Sequence, residues 1–132
     1  LLSLMEDSHA DFTLVFRHLS KFLLGDNSQV LQHFGISASF DAWSQRWQSR
    51  MKLEGVRPET RALAMDRINP IYTPRNHKVE EALSAAVDHN DMKPFFRLLE
   101  VLSYPFDEVE GREGYSTPGP QLNTTYQTFC GT

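Results

Sequence analysis

Among 132 residues there is a single cysteine, Cys130, so neither an internal disulfide nor a cysteine-rich zinc site can be built from this chain. Basic excess is missing as well. Thirteen Lys and Arg stand against seventeen Asp and Glu, for a formal net charge of -4 and a pI near 5.7. With no dense Lys/Arg block, a nucleic-acid backbone or an anionic membrane is a poor match as the main partner. No apolar run approaches the roughly 18 residues that a membrane helix needs, and Leu1 to Met5 is too short and lacks the basic flank of a signal peptide. The chain reads as cytosolic. A glycine-rich phosphate loop, a histidine pair at metal spacing and a serine nucleophile motif are all wanting, and the five histidines are scattered. No strand alternation competes anywhere, and no internal repeat is visible.

What remains is helical patterning. Length and composition, with 40% apolar and 23% charged residues, fit one globular domain. Leu1, Leu2, Leu4 and Met5 enter an apolar pattern with no cap in front, which reads as a piece of a longer chain. Phe12, Val15, Phe16, Leu19, Phe22 and Leu23 follow helical spacing and predict a helix from about 9 to 23, capped by Asp7 or Ser8 and ended by Gly25. A second stripe, Phe40, Trp43, Trp47 and Met51, is capped by Ser39 and ended by Gly55; its aromatics read as core rather than as a ligand platform. The polar run Asp26 to Gln29 separates the two. Pro58 opens a third helix, carried by Ala62, Leu63, Met65 and Ile68 to Asn69 and Pro70. Thr73 then caps a helix whose buried face is Val79, Ala82, Leu83 and Ala86. Asp91 caps a last helix with Phe95, Leu98, Leu99 and Leu102 inward, so that 74–89 and 92–103 form a helical hairpin.

The fold class is therefore all-α, with a helical domain over 1–103 and an irregular tail over 104–132. Gly111, Gly114, Pro118, Gly119 and Pro120 punctuate the tail, and its first half is acidic. Phe106, Tyr115, Tyr126 and Phe129 suit a segment that drapes over a partner surface.

Three features invite a functional reading. Cys130, third from the end, is the best candidate for chemistry. An ordinary thiol with a pKa of about 8.5 is only a few per cent thiolate at neutral pH. No Lys or Arg is near it in sequence, so reactivity must come from exposure and from a partner. Arg75, Asn76 and His77 form a candidate anion site or interdomain contact, because they stand in the first turn of a helix with free N–H groups. The alternative is that Arg75 pairs with a carboxylate and Asn76 fixes the preceding turn. His89 and Asp91 lie close enough for a metal, but surface exposure or capping explains them as well.

The block Asn69, Pro70, Ile71, Tyr72, Thr73, Pro74, Arg75, Asn76, His77, with Val79, Glu80, Glu81, Ala82 and then Asp91, Leu98, Leu99, Tyr104 and Pro105, resembles the C-terminal region of the selenoprotein O (YdiU) family. Ala10 to Thr13 with Phe16 and Arg17, and the closing Phe129, Cys130, Gly131, Thr132, resemble the same family in the same order. The resemblance spans essentially the whole chain. It implies a kinase-like parent protein that transfers AMP from ATP to protein hydroxyl groups with magnesium or manganese. The nucleotide- and metal-binding residues of that family lie upstream of the region represented here, so no catalytic, cofactor or metal residue carries over. Only the thiol position does: the resemblance implies that Cys130 pairs with an upstream cysteine as a redox control. This chain ends in Cys-Gly-Thr where some bacterial relatives have Cys-Ser-Ser. The implied partners are the upstream kinase-like core and the parent's protein substrates. The rival expectation is a stand-alone helical protein-interaction module without enzymatic activity.

Overall fold

A computed structural model describes residues 1–119. Eight helices run in the order α1 (Leu2–Asp7), α2 (Phe12–Leu23), α3 (Ser28–Phe34), α4 (Ala38–Leu53), α5 (Pro58–Asp66), α6 (Asn76–His89), α7 (Lys93–Leu102) and α8 (Glu113–Ser116), and among the described residues there is no strand. The all-α expectation is met. Cys130 and the rest of 120–132 lie outside the described residues.

Helix α2 is the centre of the bundle. Its Leu19 and Phe22 meet Val30 of α3 and Phe40 of α4 in one core cluster, flanked by Phe16, Phe34, Trp43, Trp47 and Met65. Leu14, nearer the start of α2, joins Ile71, Tyr72 and Val101 in a second cluster. Phe40, only 1% exposed, stacks on Phe34 at 4.4 Å between ring centroids and meets Phe22 edge-on at 5.6 Å. The aromatic stripe is thus core, at a separation where offset and edge-to-face rings attract.

Polar links hold α2 on α5. Arg17 is buried, and its Nη1 donates to the carbonyls of Asp66 at 2.8 Å and Asn69 at 3.2 Å, two acceptors left open where α5 ends. The Ser20 hydroxyl donates to the Asp66 carboxylate at 2.6 Å. A long charged side chain inside an amphipathic face is tolerated because these carbonyls take up Nη1 and the Asp66 carboxylate, 3.6 Å from Nε, balances the charge, although Nε itself makes no hydrogen bond.

Several boundaries differ from the sequence reading, each for a local reason. The first 11 residues hold a separate turn of helix, α1, and the chain reverses at His9 with φ of 51°. Asp11, rather than Asp7 or Ser8, then caps α2, accepting from the Leu14 amide at 2.9 Å. The polar run before Val30 opens α3 instead of acting as a spacer: Asp26 accepts from the Ser28 amide and hydroxyl, and fully buried Val30 anchors the short helix. Ser37, in extended geometry, caps α4, and Ser39 is already inside it. Gly25 and Gly55 do end α2 and α4, with φ of 95° and 66° that a residue with a Cβ rarely adopts.

The hairpin of α6 and α7 forms as expected, closed by Asn90 in the left-handed conformation and by Asp91, whose carboxylate accepts from the Lys93 amide at 3.0 Å. Its inward face is narrower than the apolar pattern suggests. Ala82, Leu98 and Val101 are buried, whereas Leu83, Phe95 and Leu99 are open. Phe12 on α2, and Leu63 and Ile68 at α5, are likewise exposed.

After α7 the chain turns back across its own domain. The carbonyl of Pro105 accepts from the amides of Ile71 and Tyr72 at 2.8 and 3.1 Å, and the Tyr72 hydroxyl both donates to the Val109 carbonyl and accepts from its amide. Tyr115 of α8 packs against the second core cluster. The surface under residues 104–119 is this domain's own.

Candidate functional site

The Asn69 to His77 block is the densest in chemistry, and prolines shape it. Pro70 and Pro74 fix φ and disfavour helix in the residues before them, so 69–75 carries no helix between α5 and α6 and bends at Asn69 and Ile71. Ile71 and Tyr72 point into the core as its anchors. The expected Thr73 cap does not form; the Thr73 carbonyl accepts from the Arg75 amide at 2.7 Å, and α6 begins only at Asn76. Arg75 keeps extended geometry, with φ of -63° and ψ of 128°.

That conformation aims its guanidinium at Asp11. Nη1 donates to Oδ2 at 2.6 Å and Nη2 to Oδ1 at 3.0 Å, a two-pronged pair, and Nη2 also reaches the Ser116 carbonyl at 2.9 Å. Both side chains are largely covered, 13% and 14% exposed. Burial alone would push the Asp11 carboxyl up, but the Arg75 guanidinium and the Leu14 amide outweigh it and hold it below its ordinary value. Asp11 thus caps α2 and neutralises Arg75 at once. The other two candidates differ: Asn76 is exposed, while His77 is half-buried under Gly119, where a Cβ would stand 2.7 Å from His77 Nδ1. Lys78 lies over the Tyr115 ring, 5.4 Å from its centroid. Chemically the cluster clamps the starts of α2 and α6 to the end of α8. An anion approaching Arg75 would have to displace a carboxylate.

One pairing escaped the sequence reading. His18 Nδ1 and His33 Nε2 are 3.0 Å apart, sharing one proton between α2 and α3. Burial first, then the His33 ring and the Lys21 charge, push His18 down to about 4; burial also lowers His33. Fifteen residues separate them in the chain, and without α3 in view no spacing rule joins them. Among the described residues no group of three or more His, Cys, Asp or Glu could hold a metal ion. His89 is exposed and Asp91 is used in capping.

The end of α2, α4 and the start of α5 also enclose an open cleft of about 680 Å³. Phe22, Leu24, Met51, Val56 and Pro58 are among its apolar lining, and Lys52 and Arg61 among its charged lining. Arg61 is held by Glu54 at 2.6 Å.

The family model described as protein adenylyltransferase SelO matches residues 1–103, from α1 through α7. The chain belongs to the SelO family. Its relatives include proteins named protein nucleotidyltransferase YdiU. Identity is 39% to the one from Maridesulfovibrio salexigens and 46% to the one from Mycobacterium sp. strain KMS, each over all 132 residues. To the one from Rhodopseudomonas palustris strain HaA2 it is 45% over 134 aligned residues and 99% of the chain. This SelO-family chain spans 26 to 27% of the length of those three relatives. Among its described residues no helix is long and apolar enough to cross a membrane.

Proposed function

We infer that this chain is the helical C-terminal region of a protein adenylyltransferase. It transfers no nucleotide by itself, supports a kinase-like core of the same parent protein and carries Cys130 as a redox-regulatory thiol. The observation that carries this reading is the family match over 1–103 combined with coverage of only about a quarter of each relative. The donor chemistry supports it: the sequence has no glycine-rich phosphate loop, and the described residues offer no three-ligand cluster. ATP and magnesium or manganese therefore belong, in this reading, to the remaining three quarters of the parent. Asn76, exposed at the first turn of α6, is the best placed of Arg75, Asn76 and His77 to meet that core. The redox step is oxidation of two thiols. Cys130 and an upstream cysteine lose two protons and two electrons to a disulfide oxidant such as oxidised glutathione, and thiol exchange in a reducing cytoplasm reverses it.

Disulfide mapping by mass spectrometry, with and without reductant, tests the reading when combined with AMP transfer by the parent protein and its Cys130→Ser variant. The expected result is a bond from Cys130 to an upstream cysteine and loss of redox dependence in the variant. A Cys130 that stays free under oxidising conditions, with unchanged redox dependence in the variant, refutes the thiol's role. Calorimetry on this chain alone should give no saturable micromolar binding of Mg-ATP.

A further inference from the structure

Helix α7 carries too much apolar surface for what it covers. At about 100° per residue, Val101, Pro94, Leu98, Leu102, Phe95, Leu99, Met92 at its N-cap, and Phe96 sweep roughly 220° of its circumference. Lys93, Arg97 and Glu100 occupy one narrow polar stripe. A helix on a protein surface needs an apolar face of only somewhat more than about 100°, and wider coverage marks a helix enclosed on more than one side. Only half of this arc is enclosed. Leu98 and Val101 are buried and Leu102 is partly so, whereas Met92 is 42% exposed, Phe95 37%, Phe96 60% and Leu99 53%. Phe95 and Phe96 meet each other edge-on, 5.8 Å between ring centroids. Leu83 and Val87 on α6 are open as well, 47% and 80% exposed.

The polar stripe is already used. Arg97 pairs with Glu100 at 2.7 Å, and Glu100 also accepts from Arg112 at 2.5 Å, so this side of α7 faces the returning segment of its own chain. The open side has no such partner in the described residues. A contiguous apolar face of two phenylalanines, a leucine and a methionine is what a monomer ordinarily avoids leaving in water.

We propose that the Met92, Phe95, Phe96 and Leu99 face of α7 is the surface on which the remaining part of the parent chain, its kinase-like core, is seated. This rests on the reading that the chain is one region of a longer protein adenylyltransferase. Two observations select that occupant over a second copy or an unrelated protein. The relatives are nearly four times as long as this chain, so a large folded partner is covalently attached and present at high effective concentration. The hairpin also lies wholly within the 1–103 stretch that the family model matches, so the face belongs to the part of the chain that the family shares.

A photoreactive benzophenone side chain placed at Leu99 in the full parent protein, with a control at Leu53 on α4, tests the assignment. Leu53 is 82% exposed and stands outside the proposed face. The expected result is an intramolecular cross-link from position 99 into the upstream part of the same chain, and none from 53. Cross-links from 99 to a second copy, or to no protein, overturn the proposal. If 53 cross-links upstream and 99 does not, the region is seated through another face: the proposal fails and the C-terminal-region reading stands. If neither reaches the upstream part, the proposal fails, and the C-terminal-region reading is judged separately by the disulfide mapping and AMP-transfer measurements. A second measurement uses Leu99→Glu, which should lower the unfolding midpoint of this chain alone only slightly because the side chain is half open there. In the parent protein it should accelerate hydrogen exchange along α7 by about tenfold or more. Unchanged exchange in the parent overturns the proposal.

Discussion

The Arg75–Asp11 pair can be weighed with two substitutions, one truncating and one isosteric. Arg75→Met keeps the aliphatic stem and removes three donated hydrogen bonds, two to Asp11 and one to the Ser116 carbonyl. Breaking one side of a buried ion pair costs about 3 to 5 kcal/mol. Asp11 retains the Leu14 amide, so the lower end applies, about 3 kcal/mol, or about 10 °C in midpoint for a chain of this size. Asp11→Asn preserves a good helix cap and removes only the charge, with an expected loss of about 2 to 3 kcal/mol from the stranded guanidinium. The double variant should fall short of the sum by at least about 1.5 kcal/mol, since the second change removes a group already orphaned. Urea unfolding followed by circular dichroism reads all four corners of the cycle. The pH sign follows from the lowered Asp11 carboxyl. Its contribution is present above the unfolded value of 3.8 and is lost as pH falls through the lower folded value. Arg75→Met should diminish that acid-side loss. Single losses under about 0.5 kcal/mol, with no coupling, would mean that the pair behaves like an exposed surface ion pair and that the clamp argument is wrong.

Leu98→Ala should cost about 2 to 5 kcal/mol, while Leu99→Ala, one residue on and half open, should cost under about 1 kcal/mol in this chain alone; equal unfolding midpoints would show the α7 face to be misassigned. His18, neutral in the fold because its pKa is pushed down to about 4, should lend stability that is full above its ordinary value of 6.5 and declines as pH falls from there toward 4. Proton NMR should give a ring inflection for His18 far below its ordinary value, and His18→Gln should flatten the stability curve over that window. An inflection near 6.5 would contradict the burial argument.

How much of this was readable from the chain depends on whether a signal was periodic or relational. Phe40, Trp43 and Trp47 announce α4 because their spacing is a property of one helix, and Pro58 marks the start of α5 to the residue. The short α3 is invisible to the same logic, since one fully buried residue, Val30, sets no period. Helix caps fail for a related reason. Asp7, Ser8 and Asp11 are equally good cap chemistry, and the choice among them is made by Arg75, 64 residues away. The apolar arc of α7 locates the helix without saying which half of the arc its own domain covers, so Leu98 and Leu99 look alike in sequence and differ in burial. At the candidate site, a carboxylate partner for Arg75 is foreseeable in kind but not in identity. The His18–His33 contact had no foreseeable signal, because it depends on the unexpected helix.

The Arg75 clamp also sets an order of events during synthesis. Asp11 leaves the ribosome ahead of its partner, which comes 64 residues later, and the Ser116 carbonyl follows 41 residues after that. Until Arg75 arrives, Asp11 can cap α2 but carries an unbalanced charge, and until Ser116 arrives one prong of the guanidinium has no fixed acceptor. Each closure draws together a long loop, whose entropy grows only as the logarithm of its length. The α2–α5 core can therefore assemble on the growing chain, while the joint that fixes α6 and the returning segment waits for residue 116. A nascent chain halted before that point would hold its aromatic core and still lack the latch.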